Sequence, residues 1–235
     1  RIALGYDDQY AKEQNAKMEA ASDTIALEEN NITLDMGCGT GLLVPHLADK
    51  ARLFVGIDIS RKLLRQALKQ TRRYPNIALV QADADHTPFN HHAFHSVFAV
   101  TLLQNMPNPA ATLKEIDRIT TPEATIILTI LKKSFTQQAI TELLEKAKLR
   151  IIAQETMMEV KDHIIACQKQ VTPQEINAPT YESARNIENP AACKQKQQHL
   201  KTFIQTTNMI KNADARITLK SGKSETTNSK NANRR

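Results

Sequence analysis

A chain of 235 residues, 41% hydrophobic and 24% charged, can bury one sizeable core, which excludes a wholly disordered or fibrous polymer. No apolar run approaches the roughly 20 residues that cross a bilayer and no secretory leader is recognisable, so no membrane partner is expected and the cytoplasm is the expected compartment. Three cysteines without metal-like spacing (Cys38, Cys167 and Cys193) argue against a disulfide scaffold, and the formal net charge of +6 is small enough that its placement matters more than its size.

The first predicted strand, Ile32-Thr33-Leu34, runs into Asp35-Met36-Gly37-Cys38-Gly39-Thr40-Gly41-Leu42-Leu43, where three of the six glycines alternate. Glycine lacks the Cβ that would keep backbone N–H groups away from a ligand, and it tolerates positive φ. A helix expected directly after the loop would add unpaired N–H donors and a positive dipole end. Strand, glycine turn and helix start together predict a cradle for an anionic group, with a ligand-free glycine turn as the plain alternative. A dinucleotide fingerprint would read G-x-G-x-x-G; this loop reads G-x-G-x-G after an acid, which argues against a nicotinamide dehydrogenase.

The second strand, Leu53-Phe54-Val55-Gly56-Ile57-Asp58, is apolar as buried parallel strands are, and it ends on a carboxylate. There Asp58 can accept hydrogen bonds from both hydroxyls of a ribose, or merely help Ser60 cap the helix that starts at Arg61. Leu63, Leu64, Ala67 and Leu68 carry that helix's apolar spacing. The third strand, Ile77 onward, reaches Asp83-Ala84-Asp85 and then Thr87-Pro88-Phe89. Ser96 to Val100 reads as the fourth strand, leaving through Thr101 to Met106. Asn108-Pro109 opens a helix with Leu113, Ile116 and Ile119 on one side. Ala124–Leu131 is a fifth strand, about 135–148 a helix, and strands follow near Leu149–Glu155 and Val160–Gln168. The alternation predicts an α/β fold with a doubly wound, mostly parallel seven-stranded sheet.

The ordered set Asp35-x-Gly37-x-Gly39-x-Gly41, Asp58 and Asp83-Ala84 resembles the class I S-adenosylmethionine-dependent methyltransferases, as a small-molecule, UbiE-like methyltransferase domain over roughly residues 1–170. The resemblance implies a Rossmann-like fold and S-adenosyl-L-methionine as cofactor. It implies cofactor binding by Asp35, Gly37, Cys38, Gly39, Gly41, Asp58, Ile59, Asp83 and Ala84. In such enzymes the counterpart of Asp83 receives the adenine amino group, that of Ala84 leaves room for the ring, and that of Ile59 walls its other face. Asp85 is read as a loop carboxylate and Cys38 as a space-filler rather than a nucleophile. Relatives carry an acid where Ser96 stands, at the far end of its strand.

Gly5 to Gln14 resembles the N-terminal lid of small-molecule methyltransferases, which makes Tyr6 and Tyr10 candidates on the substrate side, with plain packing as the alternative. Gln104 and Asn105 either hydrogen-bond the acceptor or close the strand end. An Asn/Asp-Pro-Pro-aromatic motif and a cysteine nucleophile are both missing from Leu103-Gln104-Asn105-Met106-Pro107. This argues against methylation of planar amino nitrogens and of cytosine C5. No catalytic base is assigned and no metal site is expected; His86, His91, His92 and His95 read as a surface loop.

From Val171 on, 11 Lys+Arg stand against 5 Asp+Glu, leaving 20 of each before it. The expected organisation is therefore a cofactor-binding domain over 1–170 and a basic, polar, partly disordered extension over 171–235. Methyl transfer to a small-molecule acceptor of unidentified class is the leading expectation. An RNA or protein methyltransferase docking through the basic tail is less favoured, because the charge is diffuse and lacks interleaved aromatics. A non-catalytic module that kept the pocket is the third reading.

Overall fold

The computed structural model describes residues 2–24, 28, 30–155 and 160–170. Seven strands form one sheet: β1 (Ile32–Met36), β2 (Leu53–Asp58), β3 (Ile77–Gln81), β4 (Phe94–Val100), β5 (Thr120–Leu131), β6 (Leu149–Glu155) and β7 (Asp162–Lys169). Their order is β3-β2-β1-β4-β5-β7-β6. The pairs from β3 to β5 are parallel, and β7 runs antiparallel to both β5 and β6. The seven-stranded, mostly parallel α/β expectation holds. The order reverses between β1 and β4, and in open α/β sheets the crevice beyond the carboxyl ends at that point is where ligands bind.

Among the described residues, five helices flank the sheet: α1 (Ile2–Asp23), α2 (Val44–Leu47), α3 (Arg61–Thr71), α4 (Pro109–Ile119) and α5 (Gln137–Lys146). Ser60 and Asn108 cap α3 and α4 through bonds accepted from the Leu63 and Ala111 N–H groups. Leu113, Ile116 and Ile119 of α4 are fully buried, as their spacing predicts. Met18 and Ala21 of α1 join Val44 and Leu47 of α2 and Phe54, Phe98 and Ile127 of the sheet in one core cluster.

Two expectations need correction. β5 starts four residues early, at Thr120, directly from α4; the register jumps between Phe94↔Thr120 and Ser96↔Thr125, and this irregularity accommodates Pro122. The helix expected after the glycine loop is present only as one short turn. Cys38 and Gly41 accept i+3 turn bonds from the Gly41 and Val44 N–H groups, and Pro45 has no N–H to give. Only four residues become helical, continued by a 3-10 turn at Ala48–Lys50. So short a helix sums little dipole at the loop. Residues 171–235, including the expected basic extension, and Met157-Met158 lie outside the described residues.

Candidate functional site

The glycine loop is fixed by β2 rather than by the helix behind it. Gly37 and Cys38 N–H both donate to the Ile57 carbonyl, at 2.9 and 2.8 Å. Gly39 N–H donates to Asp58 Oδ2 at 2.9 Å, and Asp58 Oδ1 accepts the Ser60 N–H at 2.7 Å. Three N–H groups of the expected anion cradle are therefore already engaged inside the protein. What the loop leaves open is space. Gly37, Gly39 and Gly41 have φ of 79°, 54° and 81°. A Cβ on Gly39 would meet nothing within 4 Å, whereas one on Gly37 would lie 2.9 Å from Leu102 Cδ1. The loop is thus bare toward open space at Gly39 and packed against Leu102 at the β4 exit at Gly37.

Asp58 is half-buried at the end of β2, and Ile59 beside it is 69% exposed, an unusual state for a large apolar side chain next to a sheet. Asp83 is exposed and Ala84 nearly buried. Asp83 Oδ1 accepts the Asp85 N–H at 2.9 Å. Asp35 lies behind the loop, 3% exposed. Burial, and then the nearby Asp58 charge, push its carboxyl up to about 7. Cys38 is buried against Gly56, where a Cβ would come within 3.0 Å of the sulfur. Burial first, then Asp35 and Asp58, push the Cys38 thiol far up, so it stays protonated and fills space.

Gln104 and Asn105, paired as acceptor-side candidates, part company. They sit in a 3-10 turn at the exit of β4. Asn105 Nδ2 donates to the Thr101 carbonyl at 2.8 Å and so closes the strand end. Gln104 has both amide atoms buried without a hydrogen-bond partner, which is costly for a polar group. Thr101 itself has φ of 55° and is held by its N–H donating to Thr129 Oγ1 at 2.8 Å. A non-glycine residue in that region is strained, and such strain gathers at functional sites. Tyr6 and Tyr10 fall in α1 by backbone, and their side chains lie outside the described residues.

Sequence reasoning missed two polar groupings. Lys17 Nζ of α1 lies 2.6 Å from Asp162 Oδ2 and donates to Thr101 Oγ1 at 3.1 Å, with Lys17 and Asp162 essentially unexposed. Their distance along the chain left no local signal. The second grouping links the loop after β3 to α4. Glu115 Oε1 accepts from the Thr87 N–H at 2.8 Å and hydroxyl at 2.6 Å, and Arg118 holds the same carboxylate at 2.7 Å through Nε and Nη2. Arg118 Nη1 also donates to the Phe89 carbonyl at 2.9 Å. Burial opposes ionisation of Glu115, but Arg118 and Thr87 outweigh it and hold the carboxyl down to about 2. The i, i+3 spacing of opposite charges on a helix was the available hint.

His86, His91 and His92 lie before β4 as the surface-loop reading expects, but His95 stands on β4 itself. His92 Nδ1 lies 2.9 Å from the Thr120 carbonyl, and His95 Nδ1 accepts the Ile32 N–H at 3.2 Å. Among the described residues no three His, Cys, Asp or Glu are placed to hold a metal ion, and no helix is long and apolar enough to cross a membrane.

Residues 34–128 match a family model described as a methyltransferase domain. The demethylmenaquinone methyltransferase of Staphylococcus saprophyticus is 32% identical over 97 residues, which cover 40% of this chain and 42% of that protein. The chain thus spans less than half the length of that relative. A SAM-dependent methyltransferase from Aquifex aeolicus superposes with a TM-score of 0.57 at 18% identity, over 64% of this chain and 89% of its own. The [4+2]-cyclase SpnF superposes with a TM-score of 0.61 at 17% identity, over 67% and 82%. The two structures share the fold described above.

Proposed function

We propose that this chain, which belongs to the class I S-adenosylmethionine-dependent methyltransferases, transfers the methyl group of that cofactor to a small-molecule acceptor. One observation carries the reading. At the carboxyl edge of the sheet, a bare Gly39 faces open space beside a half-buried Asp58 and an exposed Ile59. That combination fits a ligand with a polar sugar and a flat apolar ring.

Asp58 has already accepted one bond on each oxygen, from Gly39 and Ser60. A carboxylate offers about four lone-pair directions, so one per oxygen is left for a vicinal diol. Asp83 has one oxygen tied to the Asp85 N–H, and its other oxygen would take the purine amino group. Ala84 and Ile59 would bracket the ring, and Gly37, Cys38 and Gly41 shape the loop, with Asp35 behind it. The bound cofactor supplies an electrophilic methyl carbon, so the chain's task is orientation rather than covalent chemistry. The Thr101–Asn105 turn and the unpartnered Gln104 amide would face the acceptor, with α1 as the lid that carries Tyr6 and Tyr10.

Similarity to an enzyme named for demethylmenaquinone supports a small acceptor. We propose residues 1–170 as the domain and the cytoplasm as its compartment, in keeping with three cysteines that lack the spacing of a disulfide scaffold. The fold shared with a cyclase favours one second reading, a pocket that binds cofactor without methyl transfer.

The test is incubation of the full chain with methyl-labelled cofactor and cell extract, read by mass spectrometry and paired with calorimetry. Labelled product in the small-molecule fraction is expected. Binding without any labelled product would favour the second reading, and no binding at about millimolar cofactor would end both.

A further inference from the structure

α4 is tied to the loop after β3 more heavily than packing alone requires. Thr112 Oγ1, fully buried, donates to Asp85 Oδ1 at 2.5 Å. The Asp85 N–H in turn holds Asp83 Oδ1. One turn further along α4, Glu115 and Arg118 grip Thr87 and the Phe89 carbonyl. The edge-to-face contact of Phe89 with Phe94, 4.9 Å between centroids, closes the loop on the sheet. Asp83 itself is exposed. An exposed carboxylate on a loop would ordinarily sample several rotamers, whereas this one has one oxygen pinned through a chain that starts on a helix.

We propose that Thr112 and Glu115 are positioning residues for purine selectivity: through Asp85 and Thr87 they fix the Asp83 carboxylate in the one orientation that admits a 6-amino purine and rejects a 6-oxo purine. The inference rests on the reading above that Asp83 meets the purine. Its physical content is that a carboxylate facing a fixed direction accepts from an amino group and repels a carbonyl oxygen. A carboxylate free to turn away would lose the repulsion along with the bond. Selectivity, rather than affinity alone, then depends on atoms that never touch the ligand.

The experiment is calorimetry of the full chain with S-adenosylhomocysteine and with its inosine counterpart, in the parent, Thr112→Val and Glu115→Gln. The parent should prefer the adenine ligand, and each variant should cut that preference about tenfold, mainly by weakening the adenine ligand. Thr112→Val keeps the side-chain volume and serves if Glu115→Gln fails to fold. Equal weakening of both ligands, or an unchanged preference, would overturn the positioning role. A parent that binds both ligands equally would instead remove Asp83 from the purine, and a parent that binds neither would remove the cofactor reading itself.

Discussion

Asp58 sets the geometry of the loop as well as its proposed chemistry. Its two oxygens bridge Gly39 and Ser60, so the Asp58→Ala variant loses two charge-assisted bonds in the free protein and, on the reading above, two more to the ribose. We expect cofactor affinity to fall by about 2–4 kcal/mol and unfolding stability by about 1–3 kcal/mol. Calorimetry and urea unfolding separate the two effects, and unchanged affinity would place the ribose elsewhere. Gly39→Ala offers the complementary case. Its Cβ meets no protein atom, so the stability cost is confined to the left-handed φ of 54°, about 1–2 kcal/mol. The methyl would instead stand in the open space where we place the cofactor, and cofactor binding should fail while the chain stays folded. A variant that binds as the parent does would show that the cofactor does not lie against Gly39.

At the scale of elements, the parts legible in the sequence were those governed by local pattern. β1, β2 and β6 fall where the apolar runs place them, and Ser60 and Asn108 cap the helices that their positions announce. What stayed hidden depended on contacts distant in sequence or on turn chemistry. The shortening of α2 follows from i+3 bonds that no periodicity reveals, and the pinning of α1 follows from a lysine that reads as solvent-facing. Lys17 and Asp162 form an ion pair with 2% and 0% exposure, and Thr101 accepts a bond from the same ammonium. Removing one member leaves the other charged and buried, whereas replacing both with apolar groups is often neutral. Lys17→Met should therefore cost about 3–5 kcal/mol in urea unfolding, and Lys17→Met with Asp162→Leu should recover most of it. Additive losses in the double variant would mean that the pair does not act as a unit.

The whole molecule divides its labour at the reversal of strand order. The carboxyl ends of β1, β2 and β3 bring Asp35, Asp58 and Asp83 to one side, and those of β4 and β5 with the start of β7 bring Thr101, Thr129 and Asp162 to the other. Gathering carboxylates on one side has a consequence for stability against pH. Burial and Asp58 raise Asp35 to about 7, so between about pH 4 and 7 the folded chain holds a proton that the unfolded chain has released. Stability from this group is present at acid pH and lost as pH rises through that window, by about 4 kcal/mol at most. Glu115, held at about 2, acts in the opposite sense and lower down: its contribution is complete above its unfolded value and lost as pH falls toward 2. His163 also opposes Asp35. Burial and Lys132 lower its pKa despite Asp162, so it removes stability as pH falls below its ordinary value. The total curve therefore mixes limbs of opposite slope, and the Asp35 limb is isolated by difference. Urea unfolding of the parent and of Asp35→Asn across pH 4–8 should show the parent losing ground to the variant as pH rises, with the gap levelling off above about 7. A gap that stays constant across the window would mean that Asp35 is already ionised in the folded chain, and with it the electrostatic picture of a loop crowded by two buried-side carboxylates would fail.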